Sequence, residues 1–136
     1  MAVKDINMLK TAHTPKKCIT LALGTSATSQ TGKRTDAATP GFAFEVTKVE
    51  VYALTVTAVI TVDVQIGTTS VLTAVVTPVA DTPTAGTLSS TLANIRGSST
   101  DIISLKYTSD GAGAATNARA RVWIRPVPAN GEVYSV

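Results

Sequence analysis

The stretch FAFEVTKVEVYALTVTAVITVDVQI, residues 42–66, decides the fold class. Apolar and polar side chains alternate through it, and successive side chains of a strand point to opposite faces. Phe42, Phe44 and Val46 share one parity, whereas Val49 and Val51 share the other. That change of phase near Thr47 or Lys48 predicts a β-bulge or a break between two strands. From Leu54 the even series resumes with Val56, Ala58, Ile60, Val62, Val64 and Ile66. Thr61, Asp63 and Gln65 then face the other way, which predicts a strand with one buried and one wet face.

Outward from this core the same period recurs. KKCITLAL (16–23) places Ile19, Leu21 and Leu23 on one side and Cys18, Thr20 and Ala22 on the other, a first strand. GTTS (67–70) reads as a hairpin loop from which VLTAVV returns. DIISLKYTS (101–109) alternates Ile103, Leu105 and Tyr107. ARARVWIRPV (118–127) is the last strand, with Ala118, Ala120, Val122 and Ile124 inward. Pro126 and Pro128 end it or place it at a sheet edge. GTSATSQTGKRTDAATPG (24–41) is polar and rich in small residues, and is expected to be a long loop that is functional or ordered by a partner. TPVADTPTAGT (77–87) is turn-rich. In LSSTLANIRGSST (88–100), Leu88, Leu92 and Ile95 have helix-like spacing, giving a short helical turn or an irregular crossing. DGAGAATN (110–117) is a flexible turn.

The sum is an all-β chain of about seven or eight strands, arranged as a two-sheet antiparallel sandwich or as one closed barrel. Strand period does not separate a jelly roll from an immunoglobulin-like sandwich. The domain spans residues 17–128, between an extended N-terminal arm (1–16) and a C-terminal tail (129–136). A length of 136 residues suits one core. Aromatic residues are 4% of the chain, so that core is thin and aliphatic.

Charge and cysteine content narrow the function. The formal charge is +3 with 15% charged residues, a weak field for binding nucleic acid by electrostatics alone. Cys18 is the single cysteine, so no internal disulfide forms; it is expected as a buried, inert thiol in a protein made in a reducing compartment. The first ten residues hold no apolar run of signal-peptide length, and 51–66 carries strand period and Asp63, so neither a leader nor a membrane span is expected.

Catalytic patterns are missing. TGK at 31–33 is preceded by Ala27 where a phosphate loop needs glycine and followed by Arg34 where it needs Ser or Thr. GAG at 111–113 lacks the later glycine of a dinucleotide motif. His13 is the single histidine and lies in the polar arm, which gives no metal site and no Ser–His–acid set. Asp36, Asp63, Asp81, Asp101 and Asp110 are scattered, without a calcium-loop pattern. Glu45 and Glu50 differ in parity across the suspected bulge and are not read as a catalytic pair. No enzyme activity, cofactor, metal or small-molecule substrate is expected.

What remains is NARARVWIRPVPANG (117–131). Residues two apart share a face, so Arg119, Arg121, Trp123 and Arg125 form one outward row about 20 Å long. Three readings compete. A solvated face accounts for the arginines but not for a tryptophan among them. A protein interface suits both residue types. Single-stranded nucleic acid stacks on aromatics along a basic groove, and here one aromatic is available. The interface reading leads, since the polar ends and the 24–41 segment are the kind that gain order across a neighbour.

The combination GFAFEVTKVEVYAL … DIISLKYTSDGAGAATNARARVWIRPV resembles the small capsid decoration, or cement, proteins of tailed bacteriophages, over roughly residues 42–127. The resemblance lies in texture and strand order, and no residue role is carried over. It implies a jelly roll without enzyme activity, bound outside the shell of the major capsid protein and bracing it after expansion. Location in the virion after assembly in the host cytoplasm follows from that implication, and the exposed strand edges, the last strand and the arms point to a homodimer or other homo-oligomer on the capsid, paired by strand addition. Alternatives are a receptor- or glycan-binding fibre or spike head that uses loops 24–41 and 108–117, and a single-stranded nucleic-acid-binding β-domain.

Overall fold

The computed structural model describes residues 17–24, 30–109 and 115–127. The expected arm (1–16, with His13), the tail (129–136), Pro128 and the GAG of 111–113 lie outside them.

The chain is all-β and builds two main antiparallel sheets. In order they draw on β1 (Lys17–Gly24), β2 (Gln30–Ala38), β3 (Phe44–Tyr52), β4 (Thr55–Val56), β5 (Ile60–Ile66), β6 (Thr69–Ser70), β7 (Thr84–Ala85), β8 (Arg96–Gly97), β9 (Ile103–Ser109), β10 (Ala115–Thr116) and β11 (Ala118–Pro126). One sheet runs β1-β11-β3-β7, with β8 also on β3; the other runs β2-β9-β5-β6; β4 and β10 form a small pair. From β1 to β5 the long strands alternate between the sheets; β9 then stays in the sheet of β5, and β11 goes back to the sheet of β1 and β3. β11 returns between β1 and β3, and β9 returns between β2 and β5.

Parity explains the core. Leu21, Phe44, Val46, Val49, Val51, Ala120, Val122 and Ile124 from the first sheet meet Val62, Val64, Ile103 and Leu105 from the second, all fully buried in one cluster. Phe44 is the one fully enclosed aromatic ring among the described residues. Gly97 makes room for it: a Cβ there would sit 2.4 Å from the tip of the ring. Thr84–Ser89 ties the two sheets along one side. Gly86 N–H donates to the Val49 carbonyl (3.0 Å), Thr73 N–H to Thr87 (2.9 Å) and Ser89 N–H to Val71 (2.8 Å).

The phase change in β3 is a bulge within a continuous strand. Lys48 pairs with Trp123 and Val46 with Ile124, leaving Thr47 as the extra residue. Its hydroxyl donates to the Trp123 carbonyl (3.3 Å) at that irregular point of the ladder. A single turn of helix, α1 (Leu92–Ile95), realises the helical spacing of that segment; Ile95 is buried and Leu92 exposed. The hairpin loop is tighter than GTTS: Thr69 and Ser70 already pair with Ile66 and Gln65, and Gly67 turns the chain at φ 61°.

Four expectations are corrected. Residues 30–38 are strand β2, not loop; they show no apolar alternation, and β2 lies at the end of its sheet, paired through the backbone to β9 with two register shifts. The even series from Leu54 is two strands, β4 and β5, with irregular backbone between. The outer face of β5 is not wet: Asp63 and Gln65 are 9% and 6% exposed, because Gln65 Nε2 donates to Asp63 (2.9 Å) and the Ser70 hydroxyl donates to its other oxygen. Cys18 is exposed, not buried, since it stands on the parity opposite Ile19 and Leu21.

Candidate functional site

β11 is a central strand, flanked by β1 and β3, so Pro126 marks its end and not a sheet edge. Its inner side is Ala118, Ala120, Val122 and Ile124, and all are buried. Two alanines, a valine and an isoleucine fill the inner side, while the longer arginines and the indole stand on the outside. Arg119, Arg121 and Trp123 are half-buried and Arg125 is exposed, so the four share the outer face as the spacing predicts.

Neighbouring strands complete a grid that the sequence row alone did not show. Across β3, Arg119 faces Tyr52, Arg121 faces Glu50, Trp123 faces Lys48 and Arg125 faces Glu45. Each facing pair is a contact. The Arg119 guanidinium stacks over the Tyr52 ring (4.4 Å to the centroid) and Lys48 Nζ lies over the Trp123 ring (4.7 Å). Glu50 lies between Lys48 (3.3 Å) and Arg121 (4.0 Å). Glu45 accepts from Arg125 Nη2 (2.9 Å) and from Arg96 Nε (2.8 Å), which arrives from β8. On the other flank, β1 presents Ala22, Thr20 and Cys18 opposite Arg119, Arg121 and Trp123. One side of the row is thus tall and ion-paired, and the other is low.

The electrostatics follow from those contacts. Burial pushes the Glu45 carboxyl up, but hydrogen bonds from Arg96 and Arg125, with their charges, outweigh it and hold the pKa below the usual carboxylate range. The Tyr52 hydroxyl donates to Asp81 (2.6 Å), which raises the phenol above its ordinary value. The guanidinium and ammonium groups remain about half exposed, so each ion pair contributes little to stability.

The bulge is the signal that identifies Glu45 and Glu50 as site residues. One extra residue between positions of opposite parity brings both to the same face, where each is met by an arginine of β11. Tyr107 does not extend the aromatic platform; it is 5% exposed on the inner side of β9. Among the described residues no group of three His, Cys, Asp or Glu side chains is placed to hold a metal ion, and no helix is long and apolar enough to cross a membrane. A shallow groove of about 190 Å³ runs between residues 73–77 and 84–87, lined by threonines and small alkyl groups. No family model, curated protein or solved structure matches the chain.

Proposed function

We propose that this chain is a non-enzymatic structural protein of a virion, which binds the outside of the major capsid protein shell and bridges neighbouring subunits to stabilise it. The observation that carries the reading is the outer face of the β1-β11-β3 sheet, where a half-buried tryptophan stands in a row of three arginines. Trp and Arg are favoured at the centres of protein contacts, and a side chain already held in place loses less entropy on binding. Arg125 is held here by a hydrogen bond to Glu45 and Arg119 by stacking on Tyr52, with Arg121 4.0 Å from Glu50.

The strand order supports the jelly-roll part of the reading. Taken as eight strands, two of them only two residues long, the sheet orders β1-β11-β3-β7 and β2-β9-β5-β6 match those that two nested Greek keys produce. Binding to the expanded shell stabilises whichever shell state offers the site, so a modest contact repeated over a lattice suffices for bracing. A homo-oligomer on the capsid would pair copies through β1, which ends its sheet, rather than through the central β11.

The alternatives fare less well on the same contacts. A glycan-binding head would use 24–41, much of which is strand β2, and the groove at 73–77 has neither an aromatic nor a charged lining. A nucleic-acid strand would meet Glu45 and Glu50 along the row and find one face of Trp123 covered by Lys48. Pelleting tests the proposal. Purified chain mixed with expanded capsids that lack it should co-sediment, and Trp123→Ala should weaken that binding by roughly tenfold or more. Wild-type chain left in the supernatant overturns the proposal.

A further inference from the structure

We infer that the β1-β11-β3 face takes an acidic protein segment, laid along the low side of the arginine row over Cys18, Thr20 and Ala22, with Trp123 as its anchor. This rests on the reading of that face as a protein interface and adds the chemistry of the partner.

Charge complementarity is the argument. Lys48, Arg96, Arg119, Arg121 and Arg125 stand on this face against Glu45, Glu50 and Asp81. Each glutamate is shared by two cations: Glu45 by Arg96 and Arg125, Glu50 by Lys48 and Arg121. Arg119 stacks on Tyr52, whose hydroxyl holds Asp81. The face therefore keeps a surplus of positive charge in a chain whose whole formal charge is +3. The pairs fix the cations in place without neutralising them all, which is how a surface is pre-organised for carboxylates.

Shape points to the same place. β3 raises Lys48, Glu50 and Tyr52 beside the row, whereas β1 offers a cysteine, a threonine and an alanine, all exposed. A segment approaching from the β1 side reaches Trp123 and the arginines over this low shelf. Two nearer occupants are disfavoured by charge. Residues 1–16 carry Lys4, Lys10 and Lys16 against Asp5. A second copy meeting this face with its own would set like charges opposite one another. Nucleic acid is disfavoured because its evenly spaced phosphates cannot avoid Glu45 and Glu50, whereas a protein segment places its carboxylates selectively.

The chain has one tryptophan and one cysteine, and they are cross-strand neighbours, so two independent signals report on the site. Full-length protein is titrated with an oligoglutamate peptide, an oligolysine peptide and an oligothymidylate of equal length, reading Trp123 emission and the alkylation rate of Cys18. Oligoglutamate should shift the emission and slow alkylation, with oligolysine inert. Arg119→Glu with Arg121→Glu should weaken oligoglutamate binding by roughly tenfold, equivalent to about 1.4 kcal/mol. Lys106→Glu on the other sheet should leave it within about twofold. The neutral pair Arg119→Gln with Arg121→Gln replaces the reversal if that variant does not fold. No response to oligoglutamate, or tighter binding of oligothymidylate, overturns the inference. Undiminished pelleting of the Arg119/Arg121 variants with capsids overturns this choice of partner and leaves capsid binding standing. Oligoglutamate binding by a chain that does not pellet overturns capsid binding and leaves the acidic partner standing.

Discussion

The outer faces of the two sheets look alike in sequence and differ in the molecule. Both come from alternating strands whose second parity is polar. On β5 that parity holds Asp63 and Gln65, which close on each other and on Ser70 and are buried. On β11 it holds Arg119, Arg121, Trp123 and Arg125, whose long side chains reach across to β3 and stay half exposed. Short polar side chains satisfy one another locally and become structure. Long cationic ones make weak lateral pairs and remain available. The lesson is that the reach and charge balance of the outward residues, more than the alternation itself, separate a covered face from a contact face.

The shared core sets the upper limit for any substitution. Phe44→Ala removes the ring that both sheets rest on and should cost about 3–5 kcal/mol in denaturant unfolding. A loss of less than about 1 kcal/mol would mean that the two faces do not share one core. Next comes the direct contrast between the faces. Asp63→Ala takes away the acceptor of the Ser70 hydroxyl and the Gln65 amide in a buried setting and should cost about 1–3 kcal/mol. Arg121→Ala, which removes a half-exposed and loosely paired side chain at 4.0 Å from Glu50, should cost below about 1 kcal/mol. Equal losses, or the reverse order, would break the distinction.

The smallest effect sharpens the contact face through pH. The folded pKa of Glu45 is held below its ordinary value, so the stability it contributes is present above the ordinary carboxylate pKa and is lost as pH falls through the lowered folded value. Glu45→Gln should therefore cost below about 1 kcal/mol at neutral pH, given the exposure of its arginine partners. It should also flatten the acid limb of the stability profile. An unchanged acid limb in thermal melts across that range would show that the clamp of Arg96 and Arg125 is electrostatically idle.

Much of this arrangement was legible from parity. The inner residues of β1, β3, β5 and β11, the bulge at Thr47 and the outward arginine row all follow from a period of two. Where expectation failed, a general tendency had displaced that rule or tertiary context had overridden it. Cysteines are commonly buried, yet Cys18 stands on the parity of Thr20 and is exposed. QTGKRTDAA has no apolar alternation to find, and its pairing with β9 at the end of a sheet runs through backbone groups, which any sequence carries. Asp63 and Gln65 read as wet because their cover, Ser70, arrives from the next strand through a hairpin. The partners of the arginine row were hidden for the same reason: which strand lies beside β11 is a matter of topology, which strand period does not encode.

The extra residue in β3 carries one more consequence. Upstream of Thr47 the odd positions of that strand look outward; downstream the even ones do. Inserting or deleting a single residue between Phe44 and Tyr52 would thus act as a half-turn of everything on one side of the change, exchanging carboxylates for valines on each face. Lengthening or shortening that strand in steps of two keeps its polarity, whereas a step of one turns the segment inside out.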